Sequence, residues 1–508
     1  MDADYGLGSW PARRARISPD GVALRQYGRA LSYAELAERV ERLADWLAPR
    51  GVGPGDRVAY LGANDIATFE VFFAAGRLGA IFAPFNTRLT PPEIGYLLDD
   101  CTPTVLVHAA ELAELVAAVD PAAHGVPTTV EVGGSYGALF TGASARRRGR
   151  PVALSDDAVI LYTSGTTGRP KGAVLSHANL TFNTMNQLAH ADVLSSDTAL
   201  CIAPLFHATG LGVVSLPTLF KGGTVAVVPK FEAAAVLAAI AEHRVASFSC
   251  VPTMLALLWD HPDFARTELG SLRYVIYGGS MIAERVAVAW QDRGVTLLQG
   301  YGMTEASPGV CMAPLAGSTQ RPLSVGVPHF YTDVTFDPDR DEPERGERGE
   351  LLVRGLNVSR GYWNRPADTE RAFDRGWYRS GDIVRVDPDG WAYVVDRVRD
   401  MIISGGENVY PAEVEAAVTE LAGVVDCSVV AVPDRRWGEV GHAYVVAGPG
   451  RWTEQTLRAA LTGRLAAFKI PKHVTFLDEL PRTATGKVRK DVLRAGPPSR
   501  TAEQRRPR

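Results

Sequence analysis

A segment rich in glycine and hydroxyl side chains lies between positions 162 and 172 and reads YTSGTTGRPKG. Glycine lets the backbone come close to an anion, and backbone N–H groups together with hydroxyls can surround phosphate oxygens. Lys171 adds a positive charge on a mobile side chain. The segment therefore predicts a phosphate-binding loop. Its candidate contacts are Thr163, Ser164, Gly165, Thr166, Thr167, Gly168 and Lys171.

This loop does not have the spacing of a Walker motif, in which the lysine is followed by serine or threonine at the start of a helix. Pro170 precedes Lys171, and the strand-like sequence AVL follows Gly172. A buried strand over Ala158–Tyr162 precedes the loop, and a helix can begin only near Ser176, which is a suitable N-cap. We predict a loop between two strands that closes over a triphosphate. The alternative is a flexible hairpin turn.

Alternating helical and strand-like stretches surround the loop. The spacing of apolar residues predicts a helix over Tyr33–Leu47, a buried strand over Arg57–Leu61 and a second helix over Phe69–Leu78, which Gly79 ends. This alternation predicts an α/β fold with a largely parallel sheet.

The composition changes in two places along the chain. Residues 133–150 are rich in glycine and arginine and are predicted to form an exposed connection. A polar stretch from about Glu342 to Leu352 is predicted to introduce a β-rich part that ends near Arg397.

The composition of the whole chain excludes several classes of function. The 508 residues carry a formal net charge of −4, whereas nucleic-acid-binding domains are usually strongly basic, so we expect no nucleic-acid partner. Five cysteines lie far apart, without the close pairs that bind zinc, and indicate a reducing compartment. The chain opens on no signal-peptide pattern, and no apolar run approaches the roughly 20 residues of a membrane helix. We expect a soluble cytoplasmic protein with no integral membrane segment.

Five further motifs follow the phosphate loop: PLFHATG (Pro204–Gly210), QGYGMTE (Gln299–Glu305), YRSGD (Tyr378–Asp382), DRVRDMIISGGENVYPAEVE (Asp396–Glu415) and PRTATGKVRK (Pro481–Lys490). Together with the loop they resemble the AMP-forming, adenylate-forming superfamily, in its acyl-CoA synthetase branch of fatty-acid and aryl-acid CoA ligases. The resemblance implies a large N-terminal domain over 1–398, made of α/β subdomains and a β-rich subdomain. It also implies a small mobile α+β domain over 399–494 that pivots at Arg399. We expect a disordered tail over 495–508.

The resemblance also implies which residues carry the first reaction step. A carboxylic acid that attacks the α-phosphate of ATP brings two anions together, so the site must supply positive charge in the transition state. Lys487 is the implied catalytic lysine, which bridges carboxylate and phosphate. Thr304 is implied to contact phosphate and Glu305 to bind Mg²⁺, a hard ion that prefers oxygen ligands. Spacing alone would make this pair a helix N-cap and a first-turn acid.

Further residues are implied to hold the rest of the nucleotide. Tyr301 would lie against the adenine, Asp382 would accept both ribose hydroxyls, and Arg397 would donate to ribose or phosphate. The residues alone also permit Asp382 to be a turn residue. Ser280 is followed by Met281, where relatives often have a small residue and proline, so the local backbone path stays open. Tyr277, Gly278, Gly279 and Ser280 are implied to line the adenine and acyl pocket, and Gly300, Tyr301 and Gly302 are further implied cofactor contacts.

The motif PLFHATG, which contains His207, indicates which class of carboxylic acid is activated. The resemblance gives His207 a gating role between the acid site and the pantetheine channel, whereas a lone histidine after an apolar run is usually a packed core residue. The stretch FHATGLGVVSL contains no aspartate, so the ammonium of an amino acid would be buried without a counter-charge. The substrate is therefore expected to lack an amino-group anchor. Ala208, Gly210 and Gly212 are expected to permit a bulky or long apolar acyl group.

The motif around Gly406 indicates which thiol accepts the activated acyl group. Its glycines resemble the loop that shapes the pantetheine channel in acyl-CoA synthetases, and Trp437 is a second candidate on the coenzyme A side. ATP, Mg²⁺ and coenzyme A are thus the expected cofactors. No carrier-domain serine motif follows Lys490.

The leading hypothesis is an acyl-CoA synthetase that forms acyl-AMP and pyrophosphate, and then acyl-CoA and AMP. One alternative is a stand-alone ligase that loads a separate acyl-carrier protein, and another is an enzyme that performs mainly one half-reaction. A third, non-enzymatic hypothesis is a degenerate nucleotide-binding or regulatory protein. Whether the chain forms a homodimer is left open.

Overall fold

The computed structural model describes residues 4–140, 151–163, 169–279, 282, 284–316, 318, 321, 324–344, 346–397, 401–448, 452–481 and 488–496. The chain folds as two compact units. The first unit contains most residues up to position 398, and the second contains most residues from position 399 onward.

The described strands, in chain order, are β1 (Val22–Gln26), β2 (Arg29–Ser32), β3 (Arg57–Leu61), β4 (Ile81–Phe85), β5 (Val105–Ala109), β6 (Thr128–Val132), β7 (Asp157–Thr163), β8 (Lys171–Ser176), β9 (Thr198–Cys201), β10 (Thr224–Val227), β11 (Ser247–Cys250), β12 (Tyr274–Gly278), β13 (Thr296–Gly302), β14 (Gly309–Met312), β15 (Val327–Pro328), β16 (Thr332–Thr335), β17 (Arg348–Gly355), β18 (Phe373–Asp374), β19 (Trp377–Val386), β20 (Ala392–Arg397), β21 (Ile402–Ser404), β22 (Glu407–Val409), β23 (Val424–Asp434), β24 (Gly438–Ala447) and β25 (His473–Phe476).

The described α-helices are α1 (Trp10–Ile17), α2 (Tyr33–Leu47), α3 (Ile66–Arg77), α4 (Pro91–Cys101), α5 (Ala113–Val119), α6 (His177–His190), α7 (Leu216–Lys221), α8 (Ala233–Glu242), α9 (Pro252–Trp259), α10 (Glu284–Gln291), α11 (Pro366–Ala372), α12 (Pro411–Thr419), α13 (Glu454–Leu461) and α14 (Lys490–Arg494).

Two large sheets form the core of the first unit. One has six strands in the order β6-β5-β3-β4-β7-β8, and the other has nine in the order β15-β14-β13-β12-β11-β9-β10-β1-β2. Neighbouring strands are parallel except for β7–β8, β1–β2, β13–β14 and β14–β15. Their central strands are buried and mostly apolar, as is usual for strands covered on both faces. The prediction of an α/β fold with largely parallel sheets is confirmed.

A third sheet of the first unit is antiparallel, in the order β16-β17-β19-β18 with β20 beside β19. Strands β17 to β20 fall in the β-rich part predicted between Glu342 and Arg397, and β16 precedes it. The second unit has a sheet in the order β22-β21-β24-β23, with β25 parallel to β24. Its core cluster joins this sheet to α12 and α13 through residues such as Val414 and Leu457.

Local signals place several elements where the sequence predicts them. Helix α2 spans the predicted residues, because Ser32 and Glu35 form a reciprocal capping box at its start. Ser176 likewise caps α6 and accepts a hydrogen bond from the Asn179 backbone N–H.

The prediction of an exposed connection from residue 133 is confirmed at Gly133, Gly134, Gly137 and Ala138, which are exposed. It is wrong at Tyr136, which is 4% exposed and donates from its hydroxyl to Glu70 at 2.8 Å. Residues 141–150 lie outside the described residues.

All five cysteines are buried and unpaired. Within the described part of the chain, no helix combines the length and the apolar character that crossing a membrane requires.

Candidate adenylation site

The phosphate loop joins two antiparallel strands, as predicted. Thr163 at the end of β7 pairs with Lys171 at the start of β8, and Tyr162 pairs with Gly172. The Tyr162 hydroxyl donates to Asp100 Oδ2 at 2.8 Å, which ties the end of β7 to α4. Burial raises the pKa of Asp100. The structure therefore fixes both ends of the loop, while the predicted contacts Ser164, Gly165, Thr166, Thr167 and Gly168 lie outside the described residues.

A short segment following β17 packs along β8. The Val174 N–H donates to the Gly361 carbonyl at 3.0 Å, and the Trp363 N–H donates to the Gly172 carbonyl at 2.7 Å. These bonds hold Tyr362 beside the phosphate loop, with its ring centroid 5.6 Å from Lys171 Nζ. Sequence spacing alone gave no reason to select Tyr362.

Lys171 is paired in this structure. Its Nζ lies 2.8 Å from Asp368 Oδ1 on α11, and the two side chains are only 11% and 12% exposed. The predicted phosphate ligand is thus held next to a carboxylate that lies in none of the sequence motifs.

Glu305 lies in a short 3₁₀ turn, Thr304–Ala306, directly after β13. Its side chain is buried, and Oε1 accepts a hydrogen bond of 2.6 Å from the Tyr362 hydroxyl. Its backbone carbonyl accepts from the Ser359 N–H at 2.6 Å. Met303, not Thr304, occupies the N-cap position of this turn. Tyr362 therefore contacts both the predicted metal ligand and the predicted phosphate ligand.

Replacement of Tyr362 by phenylalanine tests this connection. Loss of a hydrogen bond to a charged group costs about 1.5–3 kcal/mol, so we expect the rate of acid-dependent ATP–pyrophosphate exchange to fall about 10-fold or more. Tyr27→Phe is the matched control, because Tyr27 is 85% exposed in the β1–β2 hairpin. An exchange rate equal to that of the control would show that this hydrogen bond does not support catalysis.

The predicted glycines lie at the carboxyl ends of β12 and β13. These strands are parallel neighbours, and Gly278 pairs with Gly300. A Cβ on Gly278 would lie 2.7 Å from the Gly300 carbonyl oxygen, and Gly279 has a φ of +88°. Ligands of open α/β sheets bind outside this edge, so the structure brings these predicted residues together at a suitable place. Ser280 lies outside the described residues.

Tyr301 and Asp382 are in direct contact. The Tyr301 hydroxyl donates to Asp382 Oδ2 at 2.7 Å, and burial together with the Asp382 carboxylate raises the pKa of Tyr301. Asp382 lies inside β19, so the alternative of a turn residue is wrong. The backbone of Arg397 on β20 pairs with Asp382, and its side chain lies outside the description.

The region around His207 is built by close backbone contacts. The His207 N–H donates to the Pro204 carbonyl at 3.1 Å, and a π-helical turn over Gly210–Ser215 follows. A Cβ on Gly210 would lie 2.3 Å from the Pro204 oxygen, and a Cβ on Gly212 would lie 2.4 Å from the Ser307 oxygen. Close approach of backbone therefore requires glycine at both positions, and the expectation that they make room for the acyl group stays a prediction. The half-buried His207 packs against Phe206, with ring centroids 4.8 Å apart.

In the second unit, Gly406 and Trp437 lie close together. Gly405 and Gly406 turn the chain between β21 and β22, with φ values of +60° and +86°. The Gly405 N–H donates to the Trp437 carbonyl at 2.8 Å, and a Cβ on Gly405 would lie 2.7 Å from the Trp437 ring. The two predicted coenzyme A contacts thus belong to one local structure. Arg399 and Lys487 lie outside the described residues, and the roles assigned to them remain predictions.

Comparison with known protein families gives two matches. Residues 11–363 match the family described as AMP-binding enzyme, and residues 413–487 match the AMP-binding enzyme C-terminal domain.

Relatives match along nearly the full chain. A feruloyl-CoA synthase from an Amycolatopsis species is 48% identical over 97% of this chain and 99% of its own length. An indoleacetate–CoA ligase from Aromatoleum aromaticum is 40% identical over 96% of this chain and 97% of its own length. One similar solved structure is that of a double mutant of o-succinylbenzoate CoA synthetase from Bacillus subtilis, bound to its product analogue. It is 30% identical in sequence, has a TM-score of 0.87, and the match covers 96% of this chain and 99% of that chain.

These matches confirm the resemblance drawn from the motifs. The chain belongs to the AMP-binding enzyme family, in its acyl-CoA synthetase branch, and it converts a carboxylic acid into its CoA thioester with ATP through an acyl-adenylate.

Proposed function

We propose that the acid is an aryl acid with a short side chain that ends in the carboxylate, and that ferulate is a substrate. The observation that carries this proposal is the similarity over nearly the full chain to a feruloyl-CoA synthase. The indoleacetate–CoA ligase, whose named acid also combines a ring with a short carboxylate arm, supports the same class.

The His207 region supports an acid without an amino group. From Phe206 to Ser215 the side chains are apolar or uncharged apart from the histidine, and most are buried. A buried ammonium there would find no carboxylate among these residues, and an uncompensated buried charge is very costly. An aryl acid requires no such partner.

Adenylation is proposed to use the residues that the family resemblance implies. Lys171 and Thr304 bind phosphate, Asp382 binds the ribose, and Lys487 bridges the acid and the α-phosphate in the transition state. Glu305 suits Mg²⁺, because a single carboxylate supplemented by phosphate oxygens and water is the usual way in which proteins hold this ion. When bound, Mg²⁺ neutralises charge on the phosphates.

Transfer to coenzyme A is proposed to involve the Trp437 region of the second unit. The Arg436 guanidinium lies 4.8 Å and Lys472 Nζ 5.9 Å from the centre of the Trp437 ring. An aromatic face flanked by two cations suits a ligand that carries both an apolar arm and phosphates. This charge supports free coenzyme A as the acceptor, in preference to an acyl-carrier protein.

Three further properties remain proposals. The limits of the domains at 398 and 399, with a pivot at Arg399, follow from the family resemblance, and the division of the chain into two compact units supports the limits. A cytoplasmic location is supported by the five unpaired cysteines, which are typical of a reducing compartment. Homodimer formation is the third proposal, and a measurement of mass in solution tests it.

A substrate panel tests the acid and the acceptor together. The enzyme is incubated with ATP, Mg²⁺ and CoA and one of ferulate, indoleacetate, palmitate or phenylalanine, and CoA thioesters and AMP are measured by mass spectrometry. We expect kcat/KM for ferulate to exceed that for palmitate by about 100-fold, and no activity with phenylalanine. A preference for palmitate would overturn the proposed acid class. An added acyl-carrier protein is expected to leave the rate of AMP formation unchanged.

A further inference from the structure

The Lys171 ammonium already has an anionic partner, the Asp368 carboxylate at 2.8 Å. Both side chains are nearly buried, so water and salt screen this pair less than they screen a pair on the surface. The residues are far apart in the chain and meet because α11 follows the Gly361–Trp363 segment that packs along β8.

Two cationic side chains stabilise the negative charge on Asp368. It also pairs with Arg371, one turn later on α11, and Arg371 is 66% exposed. Burial alone would raise the pKa of Asp368, but the hydrogen bonds and charges of Lys171 and Arg371 lower it below its usual value. Asp368 is therefore an ionised carboxylate at the position where Lys171 would otherwise offer its N–H groups to a phosphate.

We propose that Asp368 is an exchangeable counter-ion of Lys171, which the triphosphate of ATP must displace, and that Asp368 thereby sets the affinity for ATP and pyrophosphate. This inference rests on the proposed role of Lys171 as a phosphate ligand. Asp368 is a positioning residue, since it acts through Lys171.

Asp368 and the triphosphate compete for the Lys171 ammonium, and this competition explains why Asp368 weakens the binding of ATP. A triphosphate oxygen bound to Lys171 lies near the Asp368 carboxylate, and two anions at short distance repel each other strongly where screening is weak. Either the pair separates or the repulsion remains, and both outcomes weaken nucleotide binding. After pyrophosphate leaves, Asp368 pairs with Lys171 again, which favours product release.

The test is a double-mutant cycle on the full-length enzyme. The dissociation constant of MgATP is measured by calorimetry without acid or CoA, and KM for ATP, kcat and the inhibition constant of pyrophosphate are measured in the adenylation step. For Asp368→Asn we expect the MgATP dissociation constant, KM for ATP and the pyrophosphate inhibition constant each to fall about 5-fold, with kcat changed less than about 2-fold. Asp368→Ala is a second variant that removes the charge, and Asp368→Glu is expected to behave like the unmodified enzyme.

The double-mutant cycle distinguishes displacement of Asp368 from Lys171 by the triphosphate from a general effect of removing a negative charge. In the Lys171→Ala background, Asp368→Asn is expected to change the MgATP dissociation constant less than about 2-fold. Asp339→Asn is the matched control, because Asp339 forms an exposed ion pair with Arg375. It is expected to leave all constants unchanged.

Two results would overturn the inference. One is an unchanged or weaker affinity for MgATP in both Asp368→Asn and Asp368→Ala, which would make the pair purely structural. The other is an equal gain in affinity with and without Lys171, which would mean that Asp368 acts by long-range repulsion. An unchanged affinity in Lys171→Ala alone would instead refute the role of Lys171 as a phosphate ligand, which is a different failure.

Discussion

Replacement of Lys487 by alanine is expected to lower the rate of acyl-adenylate formation by at least about 100-fold, while the conversion of a supplied acyl-adenylate into acyl-CoA continues. The reason is that adenylation brings the carboxylate and the α-phosphate together, so that negative charge develops at a point where one positive group contributes about 3–4 kcal/mol to the stability of the transition state. Attack by the CoA thiol on the neutral acyl carbon does not require that charge.

Two assays on the same protein preparation measure the two half-reactions independently. Acid-dependent ATP–pyrophosphate exchange follows the first half-reaction, and the yield of thioester from synthetic acyl-AMP follows the second. Lys490→Ala is the contrasting variant, because Lys490 Nζ lies 3.0 Å from Glu415 Oε1 and so supports the second unit itself. We expect Lys490→Ala to change both half-reactions in parallel. An equal loss of both steps in Lys487→Ala would refute the role assigned to Lys487.

Replacement of Gly302 by alanine is expected to destabilise the first unit and to abolish adenylation. A Cβ at this position would lie 1.6 Å from the Pro308 carbonyl oxygen, which is far inside van der Waals contact and cannot be relieved by a side-chain rotation. Overpacking of this kind costs about 1–3 kcal/mol and sometimes more. The backbone shift falls between Tyr301 and Glu305, so the adenine side and the metal side of the site are both displaced.

Thermal unfolding and pyrophosphate exchange of Gly302→Ala are compared with those of Gly300→Ala. Gly300 lies two residues earlier on β13, and a Cβ there would meet its nearest protein atom at 3.6 Å, which is ordinary contact. Gly300→Ala is therefore expected to keep the unfolding temperature of the unmodified enzyme. An unfolding temperature and an exchange rate in Gly302→Ala equal to those of the unmodified enzyme would contradict the steric argument.

Features that depend on neighbours in the chain could be predicted from the sequence. Helix α2 begins at Tyr33 because the preceding serine and the glutamate three residues later form a local capping box. The strand-like apolar residues after Gly172 and the later N-cap at Ser176 indicate that the phosphate loop lies between two strands. The family motifs are equally local, and the comparisons with relatives confirm the fold class and the reaction that they imply.

Features that depend on distant contacts could not be predicted. Tyr362 and Glu305 are 57 positions apart, and only the folded chain shows their hydrogen bond. The pairing of Lys171 with Asp368 is likewise invisible in the spacing of either motif. Position 212 requires glycine because the Ser307 carbonyl approaches it closely. A single sequence cannot distinguish this reason from the need for an open pocket.

The buried cysteines have a consequence for an enzyme whose acceptor is itself a thiol. Thiol–disulfide exchange requires an accessible thiolate, and burial raises the pKa of Cys101, Cys201 and Cys311 to about 12 each. Burial also raises the pKa of Cys250 and Cys427 above the usual value. The native protein thus offers no cysteine that the oxidised disulfide form of coenzyme A could capture. We therefore expect no mixed disulfide between the native enzyme and coenzyme A when the oxidised form accompanies the acceptor.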